Sequence, residues 1–256
     1  MSTSDQALTP QAGSEQTHQP WTIGGAGVID QTTLDRYAAA GFGKPIGFGS
    51  RPALLIIDVQ YRTVGSRPMP FDEAVQEFPT SCGDVGWAAV ANIARLLETF
   101  RANGWPVLYP HVAPKKSYDS GRLGAKVPGI MGIPERGYDF VDELAPRPDD
   151  VLVPKRHPSA FFGTPLTSYL VDTGADSLVV TGCTTSGCVR SSVADAFSYN
   201  FRVTIPNDAV YDRSPVVHEA NLFDMAQKYA DVATTDEVLT LLDRVAAAGV
   251  SETEAP

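Results

Sequence analysis

The stretch DSLVVTGCTTSGCVRSSVADAFSYNFRVTIPND, residues 176–208, decides the fold. It opens with a short apolar run, turns over GCTTSG, continues as an amphipathic segment and ends in a second apolar run. Short, continuous apolar runs are typical of strands that are buried on both faces. The stretch therefore predicts a strand–helix–strand unit in which a right-handed crossover joins two parallel strands.

The same alternation continues on both sides of this unit. Further strands are predicted at residues 53–58, 105–111 and 150–155, and helices at 86–104, 164–174, 218–229 and 235–249. Alternating strands and helices predict an α/β protein with a three-layer, Rossmann-like fold, in which helices cover both faces of a mostly parallel sheet. The carboxyl ends of the strands then lie along one edge, where such sheets bind their ligands.

Three regions are predicted along the chain. Residues 1–48 form an N-terminal extension, which we expect to be disordered over residues 1–20 because that part is polar and rich in Ser, Thr and Gln. A short helix is predicted at 29–41. Residues 49–249 form the main domain and residues 250–256 a C-terminal tail.

Two long segments follow strands at the same predicted edge. Residues 59–85 and 112–149 are rich in Pro and Gly and are longer than ordinary connections. They could be loop decoration, but their shared position favours a cover over a pocket at the strand ends.

Composition excludes several classes of function. The chain has 30 acidic and 20 basic residues, a formal net charge of −10, which disfavours binding to nucleic acid or to an anionic membrane. No apolar run approaches the roughly 20 residues of a membrane span. The N-terminus lacks the basic and apolar regions of a secretory signal, so we expect a cytoplasmic location.

The cysteine count is 3, so at least one thiol is free.

Three reactive side chains fall at predicted strand ends. Asp58 ends ALLIID, Lys155 ends DVLVPK, and Cys188 follows the turn after the strand at 176–182 and opens a helix. A thiol at a helix N-terminus lies near free N–H groups and the positive end of the helix dipole, which favours the thiolate. By composition alone, Cys188 is more readily a core residue, Asp58 a cap or turn former and Lys155 a solvated strand end. The turn before Cys188 shifts the balance at that position toward a reactive thiolate.

Two arginines are further candidates for binding a substrate. Arg213 and Arg190 could each clamp a substrate carboxylate, although a surface salt bridge is the default, and its position after a strand favours Arg213. The 4 histidines form no metal-binding motif, and no phosphate-binding loop occurs in a suitable context. The sequence therefore predicts neither a metal nor any other cofactor.

Three separated motifs carry a resemblance to a known family. ALLIIDVQ (53–60), VPKRHPSAFFGTPL (153–166) and VVTGCTTSGCVRSSVADAFSYNFRVTIPNDAVYDR (179–213) resemble the isochorismatase-like cysteine hydrolases, over about residues 45–245. GCTTSGCVR, NLFDMAQKYADV and the connector GFGKPIGFGSRP look most similar to the N-carbamoylsarcosine amidase and maleamate amidase branch.

The resemblance implies a catalytic triad of Asp58, Lys155 and Cys188. In that family the aspartate takes the proton of the thiol and the lysine helps to hold the thiolate. The thiolate then attacks the carbonyl of a small amide, ammonia leaves, and water hydrolyses the thioester. The resemblance also implies a six-stranded sheet, a homodimer or homotetramer, and a small carboxylate-bearing amide as substrate.

The resemblance assigns further residues around the triad. It implies a cis peptide between Cys183 and Thr184, and an oxyanion hole formed by the amides of Thr184 and Cys188. In the most similar branch, the positions that match Thr185 and Arg213 bind the substrate carboxylate.

Two departures narrow the chemistry. The D-x-H-type metal motif of the family's nicotinamidases is absent from YPHVAPKKSYD (109–119), which disfavours nicotinamide and a metal. A cysteine at position 188 disfavours the vinyl ether cleavage of the true isochorismatases. Two alternatives remain open: a hydrolase of a cyclic amide or lactam that uses the same triad, and a catalytically inactive binding protein on the same fold.

Overall fold

The structure, a computed structural model, describes residues 27–253 and gives side-chain environments up to residue 248. The expected disorder over residues 1–20 lies outside this range, as does the end of the predicted tail at 250–256.

A parallel sheet forms the centre of the molecule. Its strands are β1 (Pro52–Ile57), β2 (Val107–Val112), β3 (Val151–Lys155), β4 (Ser177–Cys183), β5 (Arg202–Pro206), β6 (Val210–Tyr211) and β7 (Asp231–Ala233). The strand order is β3-β2-β1-β4-β5-β7, and β6 pairs with the end of β4. The predicted α/β class with a parallel sheet is confirmed. The sheet has 7 strands instead of the expected six, because the two-residue β6 continues alongside β4 beyond β5.

Helices cover both faces. Their bounds are α1 (Gln31–Ala39), α2 (Tyr61–Val64), α3 (Phe71–Glu77), α4 (Asp84–Ala102), α5 (Gly121–Lys126), α6 (Leu166–Asp172), α7 (Arg190–Ser198), α8 (Pro215–Lys228) and α9 (Thr235–Thr253). Leu54 and Ile56 of β1 join a core with α4 and α9, whereas Leu55 and Ile57 join a second core with α6, α7 and α8. The alternating sides of a strand thus feed two cores, one on each face. No helix within residues 27–253 is both long and apolar enough to cross a bilayer.

The described part of the N-terminal extension packs against α8. Asp30 caps α1 by accepting a hydrogen bond from Thr33 N at 2.7 Å, and the ring of Tyr37 meets that of Phe223 edge-on at 5.1 Å. The helix predicted at 29–41 is thus present as α1, two residues shorter at each end.

The two long segments contain short helices. The first carries α2 and α3, and the second carries α5 and three 3₁₀ helices at Pro128–Gly132, Glu135–Tyr138 and Asp142–Leu144. The fully buried Gln60 joins them, because its amide donates to Tyr138 O at 2.6 Å and to Val112 O at 3.2 Å. The segments therefore meet beside the carboxyl ends of β1 and β2.

Candidate active site

The site residues follow the strands at the switch point of the sheet. From β1 the chain proceeds to β2 and β3 on one side, and later returns to β4, which pairs with the other side of β1. A crevice forms at such a reversal beyond the carboxyl ends of the strands. Asp58 directly follows β1 and Cys188 lies in the turn after β4, so both stand at this crevice.

The backbone of Asp58 is held in an unusual conformation. Its φ angle is 56°, a left-handed value that few residues other than glycine adopt. Its carbonyl accepts hydrogen bonds from Gln60 N at 2.9 Å, Thr63 Oγ1 at 2.8 Å and Cys183 Sγ at 3.5 Å. Its amide donates to Pro110 O at 2.8 Å. These hydrogen bonds fix the backbone of Asp58 at the end of β1.

Asp58 and Lys155 form a buried ion pair. Lys155 Nζ lies 2.8 Å from Asp58 Oδ2, and the two side chains are 1% and 3% exposed. Burial alone would lower the pKa of Lys155, but the Asp58 carboxylate and Cys188 outweigh it and raise that pKa above its ordinary value. The second oxygen, Asp58 Oδ1, is buried without a hydrogen-bond partner among the described residues, so it is available to accept a proton.

Cys188 lies in a turn that departs from regular helix. The peptide bond between Cys183 and Thr184 is cis. Thr185–Val189 then form one π-helical turn, and α7 begins at Arg190. Cys188 was expected to open the helix. It lies instead in the π-helical turn that precedes α7.

Hydrogen bonds to the carbonyl of Thr184 shape this turn. Gly187 N donates to Thr184 O at 2.9 Å and Val189 N donates to it at 3.2 Å. Ser186 N donates to Asp212 Oδ2 at 2.8 Å. None of these bonds uses the amides of Thr184 or Cys188, the two groups predicted to form the oxyanion hole.

The electrostatics of Cys188 differ from the sequence expectation. Burial, followed by the negative charge of Asp58, raises the pKa of Cys188, and the ammonium of Lys155 lowers it by less. The helix dipole was expected to favour a thiolate, but the neighbouring carboxylate and the dry surroundings oppose that charge. Both effects favour the neutral thiol of Cys188 over its thiolate.

The structure places Thr185 against a residue that the sequence analysis missed. Thr185 is fully buried, and its hydroxyl lies 2.7 Å from His218 Nδ1 on α8. Burial lowers the pKa of His218, despite the opposing charge of Asp212, and so favours the neutral ring. No sequence signal joined these residues, since the contact exists because α8 packs on the turn.

The two candidate arginines have different surroundings. Arg190 donates to Asn221 Oδ1 at 3.1 Å and pairs with Asp224 at 2.6 Å, so its guanidinium is engaged on α8. Arg213 is exposed and donates to Thr80 O at 2.7 Å, which leaves most of its donors free. It follows β6, and not β5 as expected from the sequence.

No three His, Cys, Asp or Glu side chains form a group that could hold a metal ion in the part of the chain from residue 27 to residue 253. The other two thiols are buried, and burial raises the pKa of Cys82 to about 12 and also raises that of Cys183. Cys188 is the cysteine that retains partial exposure.

A doubly wound α/β sheet that gathers a carboxylate, an ammonium and a thiol at its switch point defines an enzyme of the Rossmann-like α/β class. More particularly, the chain belongs to the isochorismatase family, since the Isochorismatase domain matches residues 52–237.

Similar proteins agree on the reaction class. The chain is 35% identical over 221 residues to a maleamate amidohydrolase of Pseudomonas putida, which covers 84% of this chain and 98% of that protein. It is 35% identical over 215 residues to an N-carbamoylsarcosine amidase of an Arthrobacter species, with 81% of this chain and 77% of that protein covered. An isochorismatase-like hydrolase from Alkaliphilus metalliredigens has the same fold, with a TM-score of 0.64, 27% identity, and coverage of 75% of this chain and 98% of that one. The protein is thus an isochorismatase-family amidohydrolase, which acts on C–N bonds other than peptide bonds.

Proposed function

We propose that the protein hydrolyses a small linear amide that carries a carboxylate, through a thioester on Cys188. The observation that carries this proposal is the buried Asp58–Lys155 pair beside the thiol. A buried ion pair contributes little to stability by itself, so a chemical role is a better reason for its presence.

The first half of the reaction forms the thioester. Asp58 Oδ1 accepts the proton of the Cys188 thiol as sulfur attacks the amide carbonyl. Lys155 stays protonated and stabilises the negative charge on sulfur. The amides of Thr184 and Cys188 stabilise the oxyanion. When the C–N bond breaks, the proton held by Asp58 passes to the leaving nitrogen, and ammonia departs.

The second half regenerates the enzyme. Water attacks the thioester carbonyl and gives a proton to Asp58, which returns it to the sulfur as the C–S bond breaks. The net reaction consumes one water and yields a carboxylic acid and ammonia. Asp58 thus acts as base and as acid in turn, which suits a carboxylate with one oxygen paired to Lys155 and the other free.

The substrate class follows from the relatives and from Arg213. The names of the maleamate amidohydrolase and the N-carbamoylsarcosine amidase specify maleamate and N-carbamoylsarcosine, and both compounds carry one carboxylate beside the amide. We propose that the exposed guanidinium of Arg213 binds this carboxylate. Thr185 joins it through backbone or hydroxyl contacts, although its hydroxyl also contacts His218.

Ammonia release from a panel of monoamides and N-carbamoyl amino acids tests the proposal. We expect turnover of carboxylated amides, and Arg213→Ala should raise KM for these at least about tenfold while neutral amides change little. Equal effects on acids and neutral amides would remove Arg213 from this role. Ring opening of a lactam without ammonia release would instead favour a cyclic substrate.

A further inference from the structure

Ser192 is a buried polar residue that lies four residues after Cys188. It belongs to α7 and is fully buried. Its hydroxyl donates to Cys188 O at 2.7 Å and accepts from Ala160 N at 2.8 Å. A hydroxyl has one proton to donate, so Ser192 uses its donor and one lone pair to join two separate backbone segments.

One of these segments begins at the lysine of the buried ion pair. Residues 156–161 follow Lys155 at the end of β3, and Lys155 Nζ donates to His157 O at 3.2 Å. Ala160 is fully buried in the same core as Val193 of α7. The segment therefore leads from the ammonium of the ion pair to the helix that follows the nucleophile.

A second contact holds this segment on α7 beside the first. Ser159 Oγ donates to Asp195 Oδ2 at 2.5 Å and accepts from Phe161 N at 3.1 Å. Asp195 lies three residues after Ser192, so the two positions are neighbours on the surface of α7. The ring of Phe161 also stacks on that of Tyr199 at the end of α7, with the centroids 5.5 Å apart. The segment is thus held at several points along the helix.

The contact at Ser192 bridges a gap in the sheet. Lys155 ends β3 and Cys188 follows β4, and β2 and β1 lie between these two strands. Asp58 spans part of this distance through its ion pair with Lys155. Ser192 provides a second route between the same two groups, which runs through backbone hydrogen bonds.

A serine that donates to the carbonyl four residues earlier is common in helices. Ser198 makes such a bond in α7, since its hydroxyl donates to Ala194 O at 2.7 Å from an exposed position. Ser192 differs because it is buried and because it also accepts a bond from another segment. Loss of its hydroxyl would leave the buried amide of Ala160 without that acceptor, which is costly.

We propose that Ser192 is a positioning residue for the amide hydrolysis: it holds the backbone of Cys188 against the segment that follows Lys155, and so fixes the thiol relative to the ammonium. The inference deepens the proposed function, because it rests on Cys188 as the nucleophile and on Lys155 as its neighbouring cation. Ser192 acts through the backbone of Cys188 and takes no part in the bond changes.

Ser192→Ala removes both hydrogen bonds with little change in volume. On the amide that the wild-type enzyme turns over fastest, we expect kcat to fall by about 10- to 100-fold, because small displacements of reacting groups have effects of this size. KM should change by less than about threefold, since no substrate contact is lost. Ser198→Ala is the matched control: it removes the same kind of bond from the same helix, and kcat should stay within about twofold of wild type.

The pH profile of alkylation provides a measurement that does not depend on the substrate. Burial is the largest cause of the raised pKa of Cys188. A turn that Ser192 no longer holds admits water to the thiol, so the apparent pKa of alkylation by iodoacetamide should fall in Ser192→Ala and stay unchanged in Ser198→Ala. Mass spectrometry of the peptide that contains Cys188 measures this rate from about pH 6 to about pH 10.

Two further substitutions at position 192 separate the hydroxyl from packing. Ser192→Thr keeps the hydroxyl, whereas Ser192→Val places a side chain of similar shape there without it. We expect kcat of Ser192→Thr to exceed that of Ser192→Val by at least about fivefold. Ser159→Ala removes the neighbouring contact with Asp195 and serves if Ser192→Ala does not fold; it should lower kcat by more than Ser198→Ala does.

The inference is overturned if Ser192→Ala lowers kcat no more than Ser198→Ala, if its alkylation profile matches that of wild type, or if Ser192→Thr and Ser192→Val lose kcat equally. Its failure is separable from that of the proposed function. A wild-type enzyme that releases no ammonia from any amide of the panel would contradict the function, and the alkylation profile would still decide whether Ser192 positions the thiol.

Discussion

Asp58 lies between two groups that respond to its charge. Its carboxylate raises the pKa of the Lys155 ammonium and also raises that of the Cys188 thiol. Hydrogen bonds from Gln60 and Thr63 hold its backbone at φ 56°, and the ion pair with Lys155 holds its carboxylate. The reactivity of Cys188 is therefore set by a side chain that also has to accept its proton.

Asp58→Asn should separate the effect of the Asp58 charge on the pKa of Cys188 from the role of Asp58 as the base. Removing the negative charge removes a cause of the raised pKa of Cys188, so that pKa should fall. Iodoacetamide should then alkylate Cys188 faster near neutral pH, while ammonia release falls by at least about 10²-fold because the base is lost.

Rates of alkylation and of turnover across pH 6–10 measure both changes. Asp72→Asn, at an exposed position in the first turn of α3, is the control and should alter neither. Slower alkylation in the Asp58 variant would show that the carboxylate activates the resting thiol and does not hold it protonated.

At the scale of single residues, the sequence indicates candidate catalytic side chains where they follow predicted strands. Asp58, Lys155 and Cys188 could be selected because each follows an apolar run in a pattern that brings strand ends together. His218 could not, because what distinguishes it is a contact made by a distant helix. Its sequence context is ordinary.

The turn at Thr185–Val189 is the element on which the site depends. A Cβ at Gly187 would lie 2.6 Å from Thr184 Oγ1. The turn therefore needs glycine for the space beside Thr184.

Gly187→Ala should displace the turn and with it the amides of Thr184 and Cys188. We expect kcat to fall by at least about 10²-fold, the size associated with loss of an oxyanion donor. Unfolding should require about 1–3 kcal/mol less free energy.

Steady-state kinetics and urea unfolding measure these two losses. Gly132→Ala is the control, because its added Cβ would meet no atom within 4 Å. Wild-type kcat in the Gly187 variant would mean that the geometry of the turn does not limit catalysis.

Short elements were the hardest to predict. β6 has 2 residues and β7 has 3, and every residue of β7 is partly exposed, so neither forms an apolar run. Their pairing depends on the chain returning to β4 and β5 after a turn, which local sequence does not specify. The longer strands and helices follow hydrophobic periodicity closely enough to be found.

At the scale of the whole molecule, two carboxylates hold the connector that precedes β1 by accepting hydrogen bonds from its backbone amides. Asp231 in β7 accepts hydrogen bonds from Gly47 N at 2.8 Å and Ile46 N at 3.0 Å. Asp176 accepts from Arg51 N at 3.0 Å. These contacts join the extension to the domain at a distance from the catalytic groups.

Asp231→Ala should therefore destabilise the protein without changing its chemistry. Two backbone amides lose their acceptor, and we expect about 1–3 kcal/mol less free energy of unfolding in urea, with kcat within about twofold of wild type. Asp236→Ala removes a 78% exposed partner of Arg95 and should cost less than about 1 kcal/mol. Similar costs for the two variants would contradict a specific role for Asp231.

The α/β class and the edge that carries the site could be predicted because strands and helices alternate along the chain. The fold of the two long segments could not be predicted from the sequence. Their short helices are joined by single contacts, such as that of Gln60 with Tyr138.

The most direct test of the account is ammonia release by Cys188→Ala, measured on whichever amide of the panel the wild-type enzyme turns over fastest. Cys82→Ala, which removes a buried thiol outside the proposed triad, is the matched control. We predict that the Cys188 variant loses at least about 10⁴-fold in kcat while it keeps its fold, and that the Cys82 variant retains activity. Ammonia release at an undiminished rate from the folded Cys188 variant would contradict the account.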